Sequence, residues 1–192
     1  MKAIQGVIIF CSLLVTQVPA FLIFRDDAFL PPFGNGKLLF LLATEVICLM
    51  VLSLVLLDKQ RIQKMSLKRV RTLGLQVFAI FIVSGVVYFL FLMSYVVQDT
   101  STRQRIVLPL VSSSGLATYL KTANEESRVD ALSIMEEINH SAANRFFYYL
   151  MYCVFFVLFN ILFASVVFIF TFFGLKVSAV ESPEAPVSPA GP

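Results

Sequence analysis

The fold is decided by residues 146–175, which read FFYYLMYCVFFVLFNILFASVVFIFTFFGL and contain no charged side chain. At 1.5 Å per residue, thirty residues make a helix of about 45 Å, whereas the hydrocarbon core of a membrane is ~30 Å thick. The run therefore predicts a transmembrane helix that tilts or projects beyond the membrane.

Three further apolar runs follow the same pattern, at residues 3–24, 38–57 and 75–97. Each is long enough to cross a bilayer, because about 20 apolar residues suffice. We therefore predict an all-α integral membrane protein with four transmembrane helices, which occupy one domain over residues 1–180. The first run resembles a signal peptide near Pro19 and Ala20, but it continues to Phe24, which favours a retained helix.

Composition agrees with this fold class. The chain has 192 residues, of which 58% are hydrophobic and 14% are charged, whereas soluble domains have about 45–50% apolar and about 25% charged residues. These values exclude a disordered chain, a disulfide scaffold and an ordinary cytosolic enzyme. The three cysteines, Cys11, Cys48 and Cys153, lie inside apolar runs, where they act as small apolar residues rather than as a disulfide framework.

The distribution of Lys and Arg predicts the orientation in the membrane. Residues 58–74 carry six cations and one acid, whereas residues 25–37 carry two of each and residues 98–145 carry five cations and six acids. The basic segment is therefore expected in the cytoplasm, together with both termini. Residues 181–192 contain four prolines, which predicts a disordered tail.

Four cations of the basic segment, residues 58–74, are spaced at intervals of three, four and three, which predicts one face of a helix. They are Arg61, Lys64, Lys68 and Arg71. One interpretation is orientation by the positive-inside rule together with contact to anionic lipid headgroups. The other is a docking surface for an acidic cytoplasmic protein. Direct binding of nucleic acid is not expected, because no aromatic residues are interleaved with the cations.

The outer loop, residues 98–145, is expected to be partly helical. Thr122 and Glu125 have the spacing of a capping box, which predicts a helix that begins near Thr122. Four apolar residues then recur at every third position and are interpreted as one apolar stripe of that helix: Val129, Leu132, Met135 and Ile138. Such a helix would form a small cap on the outer surface.

Two polar side chains interrupt the apolar runs. Glu45 lies near the middle of run 38–57, where a charge costs about 2.5–3.5 kcal/mol on insertion scales. Glu45 has two kinds of interpretation. The functional ones are an ion or proton site, a sensor or an oligomer contact. The structural one is a protonated side chain that is hydrogen-bonded to a neighbouring helix. Asn160 lies in run 146–175 on the same face as Cys153 and Ala164, where a hydrogen bond across helices is expected.

Enzymatic chemistry has little support in this sequence. His140 is the only histidine, and no zinc-protease, P-loop, nucleophile-elbow or dinucleotide-binding motif is present. We therefore expect that the chain is not an enzyme and that it has no catalytic residue, no cofactor and no metal site.

The layout resembles the membrane subunit of the Kiwa bacterial anti-phage defence system. The features in common are four spans, the short basic loop at residues 59–71, the outer loop at residues 98–145 and cytoplasmic termini. This resemblance implies a homo-oligomeric inner-membrane sensor, with a tetramer expected, that works with a soluble cytoplasmic partner that binds DNA. No site residue is transferred by it.

Three hypotheses for function follow. The first is a non-enzymatic membrane sensor and scaffold, whose outer loop detects a perturbation and whose basic loop recruits a cytoplasmic protein. The second is a small ion channel, a pore or a proton-coupled carrier that uses Glu45. The third is an immunity or accessory protein that binds a membrane-active toxin.

Overall fold

A computed structural model of the chain is mostly helical and describes residues 6, 10, 14, 16–17, 36–99, 105–111, 114–125 and 130–180. The elements follow in the order α1 (Lys37–Leu57), α2 (Lys59–Lys64), α3 (Leu67–Tyr95), β1 (Val96–Gln98), β2 (Arg105–Val107), α4 (Ser114–Glu125), α5 (Ala131–His140) and α6 (Ala142–Val180). Three of them, α1, α3 and the part of α6 up to Val177, are long and apolar enough to cross a membrane. The chain is therefore a membrane protein.

Four spans were predicted, and three are found among the described residues. Most of the first predicted span, residues 3–24, lies outside the described part of the chain, although Gly6, Phe10, Leu14, Thr16 and Gln17 are helical there. The tail predicted to be disordered, residues 181–192, also lies outside it.

The longest helix, α6, is the centre of the bundle. With 39 residues, it is about 58 Å long and exceeds the ~30 Å core of a bilayer. Both α1 and α3 pack against it along their lengths, and α2, α5 and β2 contact its two ends. The helices α1, α2, α3 and α5 and the strand β2 are therefore positioned by contact with α6.

Aromatic side chains fill the bundle interior next to the cap. The buried set comprises Phe40 from α1, Tyr88 from α3, and Phe155 and Phe159 from α6. The rings of Tyr88 and Phe155 meet edge to face at 5.8 Å, which is a favoured arrangement of aromatic quadrupoles. The many phenylalanines of the sequence thus serve in part to pack three helices on one another.

The segment after α3 forms a small folded unit, the cap, which consists of β1, β2, α4 and α5. The strands pair antiparallel, with Val97 opposite Ile106. The third span was predicted to reach Val97, whereas α3 ends at Tyr95 and is followed by β1, and the strands of the partly helical outer loop were not predicted. Valine and isoleucine favour extended backbone, and the pairing of β1 with β2 ends α3 at Tyr95.

At the opposite end of the bundle, α3 begins at Leu67 rather than at residue 75. Ser66 has extended backbone, and its hydroxyl accepts a hydrogen bond from the Arg69 amide at 3.4 Å, as a helix N-cap does. The last cations of the basic segment therefore belong to the first turns of α3. We call this end, with α2 and the start of α3, the basic end.

Candidate functional site

Glu45 forms a hydrogen bond with a side chain of the first apolar run. The Nε2 atom of Gln17 donates to Oε1 of Glu45 over 2.9 Å, and both side chains are partly buried. An unsatisfied polar group in a membrane is costly, so this bond stabilises the placement of Glu45 within α1. Among the interpretations of Glu45, a hydrogen bond to a neighbouring helix therefore has a named partner.

Sequence reasoning did not identify Gln17, although a signal for it was present. Gln17 lies seven residues before the end of run 3–24, and Glu45 lies seven residues after the start of run 38–57. Two consecutive antiparallel spans bring such positions to the same depth, since each residue rises 1.5 Å. Matching polar residues by depth would have predicted the pair.

Asn160 is buried in α6, with 7% of its side chain exposed. Its Nδ2 atom donates to the carbonyl oxygen of Phe156 in its own helix at 2.8 Å, and its Oδ1 atom has no hydrogen-bond partner among the described residues. The predicted hydrogen bond across helices is therefore absent in the part of the chain that the structure describes. The face predicted to be shared with Cys153 is also not uniform, because Cys153 is exposed.

The four cations of the basic segment do not share one helix face, which corrects the prediction. Arg61 and Lys64 lie on α2, whereas Lys68 and Arg71 lie on α3. The helix is broken because Met65 and Ser66 both have extended backbone, with ψ of 142° and 146°. A spacing argument assumes an uninterrupted helix and misses such a break.

The break separates the cations into different surroundings. Arg61 lines a groove with Arg69, whereas Arg71 lines a separate groove with Lys176 of α6. All four predicted docking cations, including Lys64 and Lys68, are exposed. The ion pair of Arg61 with Asp58 is long, at 3.9 Å, and exposed, so it contributes little to stability and leaves Arg61 accessible.

Lys176 was not identified from the sequence, yet it ties α6 to the basic end. Its Nζ atom donates to the carbonyl oxygens of Gln63 at 2.8 Å and Met65 at 2.6 Å. These carbonyls lie at the C-terminal end of α2, where a helix presents unpaired acceptors and partial negative charge. A lysine directly after an apolar span is usually assigned to the membrane interface, which hides this role.

The cap contains two helices where the sequence predicted one helix beginning near Thr122. Thr122 lies inside α4, and its hydroxyl donates to the carbonyl oxygen of Thr118, so the capping-box prediction is wrong. The second helix, α5, begins after Asp130, whose carboxylate accepts from the Leu132 amide at 3.1 Å and from the Ser133 hydroxyl at 2.7 Å. These hydrogen bonds lower the pKa of Asp130.

The predicted apolar stripe is also corrected. Ile138 is buried, but Leu132 is 80% exposed and Met135 is only partly buried, while Val129 lies outside the described residues. A step of three residues rotates about 60° around a helix of 3.6 residues per turn, so the four positions spread over half of its circumference. The buried face instead carries Ile134 and Ile138, which are four residues apart.

The cap has its own apolar core beside the start of α6. Its buried members come from β2, α4 and α5, and they are Ile106, Leu116, Ile134 and Ile138. Tyr148 of α6 packs against this core and also against the bundle interior. A change in the cap core is therefore in direct contact with α6.

No group of three or more potential metal ligands occurs among the described residues. His140, the single histidine, lies exposed at the end of α5. Comparison of this chain with protein-family models, curated protein sequences and solved structures finds no match. The candidate functional features are therefore defined by geometry, as the cap and the basic end, which contact opposite ends of α6.

Proposed function

We propose that the chain is a non-enzymatic sensor and scaffold subunit of an oligomeric inner-membrane complex that acts in anti-phage defence. In this proposal the cap faces outward, the basic end and both termini face the cytoplasm, and the basic end recruits a cytoplasmic protein that binds DNA. The supporting observation is that one continuous helix, α6, contacts the cap at one end and holds the basic end at the other.

The cap is attached to α6 by hydrogen bonds as well as by packing. Asn144, 1% exposed, donates from Nδ2 to the carbonyl oxygen of Glu137 near the end of α5 at 3.2 Å. The Leu110 amide donates to the carbonyl oxygen of Phe147 at 3.4 Å. A displacement of the cap would therefore move the first turns of α6.

The basic end is attached to the other end of α6. Phe172 and Leu175 of α6 pack with Ile62 of α2 and Val70 of α3 in one buried cluster, and Lys176 holds the carbonyl oxygens described above. In switching proteins, helices shift by about 1–2 Å at their interfaces. A shift of this kind in α6 would reposition the cations of α2.

The recruiting surface in this proposal is the exposed cationic face of α2 and the first turn of α3. An acidic surface on the partner would complement Arg61, Lys64 and Lys68, which are all exposed. Residues 58–72 contain no aromatic side chain, so base stacking by this segment is absent and the DNA contact is assigned to the partner. The resemblance in layout to the Kiwa membrane subunit supports the oligomer and the defence role.

The coupling of the two ends is tested by disturbing the cap and observing the basic end. Ile134→Asp places a carboxylate in the buried cap core, whereas Leu132→Asp, two residues away and 80% exposed, is the matched control. Hydrogen–deuterium exchange at residues 59–66 should increase in Ile134→Asp and stay unchanged in Leu132→Asp. Faster exchange confined to the cap would contradict transmission through α6.

Recruitment is tested by charge reversal at the three exposed cations, Arg61→Glu, Lys64→Glu and Lys68→Glu together. Co-purification of the cytoplasmic DNA-binding protein should be lost while membrane insertion is retained. Lys121→Glu, an exposed cation of α4 in the cap, is the control. Unchanged recovery of the partner would refute the docking surface.

The defence role is tested separately by deletion of the gene. Plaque counts after phage infection should rise, and unchanged counts would refute this role.

A carrier that uses Glu45 is the second candidate, because a carboxyl group lies within a span. The hydrogen bond from Gln17 supports a packing role instead. If packing is its role, Gln17→Leu and Glu45→Leu each destabilise the protein, and the double variant recovers most of the loss because no polar group remains unpaired. If transport is its role, Glu45→Gln changes flux in reconstituted vesicles although an amide can replace the hydrogen bond.

A further inference from the structure

An open groove of about 700 Å³ lies between α3 and α6 at the basic end. Its lining is almost entirely apolar and includes Leu75, Phe78 and Phe173, with two cations, Arg71 and Lys176, as the charged members. Leu75 is 59% exposed and Phe78 is 53% exposed, so the groove opens away from the bundle. In a membrane this direction is occupied by lipid.

The two cations lie at the same depth. Gly74 and Phe173 are in close contact, since a Cβ atom on Gly74 would lie 2.5 Å from the ring of Phe173. Arg71 precedes Gly74 by three residues and Lys176 follows Phe173 by three residues, on helices that run in opposite directions. Both cations are therefore about 4.5 Å from that contact toward the basic end, at 1.5 Å per residue.

The groove covers part of one leaflet of a bilayer. From the level of the cations its lining extends along α3 from Arg71 to Phe78, which is roughly 10 Å at 1.5 Å per residue. Half of a ~30 Å hydrocarbon core is about 15 Å. An acyl chain that entered at the level of the cations would be covered along about two thirds of the depth of its leaflet.

We propose that this groove binds one anionic phospholipid, with the headgroup phosphate between Arg71 and Lys176 and an acyl chain along Leu75, Phe78 and Phe173. The guanidinium group of Arg71 can bind phosphate oxygens in a bidentate manner. Lys176 uses two of its three N–H donors on the carbonyl oxygens of α2 and retains the third for the phosphate. This inference rests on the membrane character of α3 and α6 and is independent of the sensor role.

The site would link lipid to the fold of the basic end. A phosphate held by Lys176 would be adjacent to the connection between α2 and α3, since the same ammonium group binds Met65. Anionic lipids are concentrated in the cytoplasmic leaflet, which agrees with the proposed orientation. The cations Arg61 and Arg69 line a different groove and are not part of the site.

Native mass spectrometry of the detergent-purified chain, titrated with phosphatidylglycerol or with phosphatidylcholine, tests the proposal. Arg71→Gln removes the guanidinium group, and Arg69→Gln, an exposed arginine two positions away on the same helix, is the matched control. We expect one phosphatidylglycerol per chain in the wild type and in Arg69→Gln. In Arg71→Gln the affinity should fall roughly tenfold or more, as expected for loss of a charge-assisted hydrogen bond.

A second pair of variants tests the acyl-chain part. Leu75→Trp fills the groove and should weaken binding of phosphatidylglycerol, whereas Leu90→Trp, at a similarly exposed position of α3 outside the groove, should not. Inorganic phosphate should not displace the lipid, because it lacks an acyl chain.

Three outcomes would overturn the proposal. Equal binding by Arg71→Gln and Arg69→Gln would remove the headgroup site, and displacement by inorganic phosphate alone would remove the acyl-chain site. A change of oligomeric state in Leu75→Trp without loss of lipid would assign the groove to a second copy of the chain. None of these variants alters Arg61, Lys64 or Lys68. A negative result for the lipid site therefore does not refute the docking surface.

Discussion

At the cap, α6 is held by an apolar core that includes Ile106, Leu116, Ile134 and Ile138, each at most 7% exposed, whereas at the basic end it is held by a cluster around Ile62 and by the ammonium group of Lys176. The first anchor depends mainly on removal of apolar surface from water, and the second adds directional hydrogen bonds from a cation.

The difference indicates that the two anchors respond to different substitutions. The cap anchor is sensitive to the volume of its buried side chains, whereas the contacts of Lys176 are sensitive to the loss of one charged group. Each prediction below weakens one anchor and compares the result with a matched control.

The largest effect is expected from truncation of the cap core. Ile134→Ala removes buried methyl and methylene groups and should destabilise the cap by about 2–5 kcal/mol, measured by hydrogen exchange of α5. Leu132→Ala, on the same helix but 80% exposed, should stay within about 0.5 kcal/mol of the wild type. Similar losses in both variants would show that the cap core is not assembled as described.

Removal of the Lys176 ammonium group should loosen the basic end. Lys176→Met keeps a long apolar side chain but leaves two carbonyl oxygens without their donor, with an expected cost of about 1.5–3 kcal/mol. Exchange should increase more at residues 59–66 than in α5. Lys68→Met, at an exposed position, is the control. Equal effects of both variants would show that the basic end is loosened by the loss of a positive charge rather than by the loss of the hydrogen bonds of Lys176.

A smaller effect is expected from loss of the cap of α3. Ser66→Ala removes the acceptor for the Arg69 amide and should cost roughly 0.5–1 kcal/mol, near the lower limit for N-caps because the bond is long. Ser53→Ala removes an exposed hydroxyl that bonds within its own helix and should be neutral. The comparison is made by thermal unfolding in detergent.

The smallest effect is expected from a fall in pH, which should loosen the cap more than the basic end. The hydroxyl of Ser133 and the amide of Leu132 lower the pKa of Asp130 in the folded cap. This contribution to stability is complete above the ordinary Asp pKa of about 3.9 and is lost as pH falls through the lowered value. Exchange of α5, corrected for its intrinsic pH dependence, should accelerate on acidification more than exchange of α2.

Asp130→Asn keeps a side-chain acceptor and removes this titration. The variant should therefore show a weaker acceleration of α5 exchange at low pH than the wild type. An unchanged pH dependence would refute the contribution of Asp130 to this effect.

Composition and run length were sufficient to predict the membrane class and the positions of α1 and most of α6. They succeed because apolar runs near 20 residues have few alternatives to a transmembrane helix. The predicted ends of α3 were less accurate, because a local signal at each end differs from the pattern of the surrounding residues. At its start, Ser66 caps α3 between cations whose spacing is that of one continuous helix. At its end, Val96 continues the apolar run although it belongs to a strand.

The candidate site was predictable only in part. Glu45 is conspicuous because a charged residue is rare within a span, and the basic segment is conspicuous by its charge. Lys176 acts through partners more than 100 residues away, and no local pattern reveals them. The pair of Gln17 and Glu45, 28 residues apart, is found only when two apolar runs are compared by depth. Their contributions depend on which helices become neighbours, which is a property of the bundle.

The contacts of Lys176 also have a consequence for biogenesis. Its partners Gln63 and Met65 precede it by 113 and 111 residues. At translation rates of about 5–20 residues per second, the basic segment emerges on the order of ten seconds before the residue that anchors it. Chains that terminate before α6 would enter the membrane with α2 unanchored and with a cap core that lacks its contact with Tyr148.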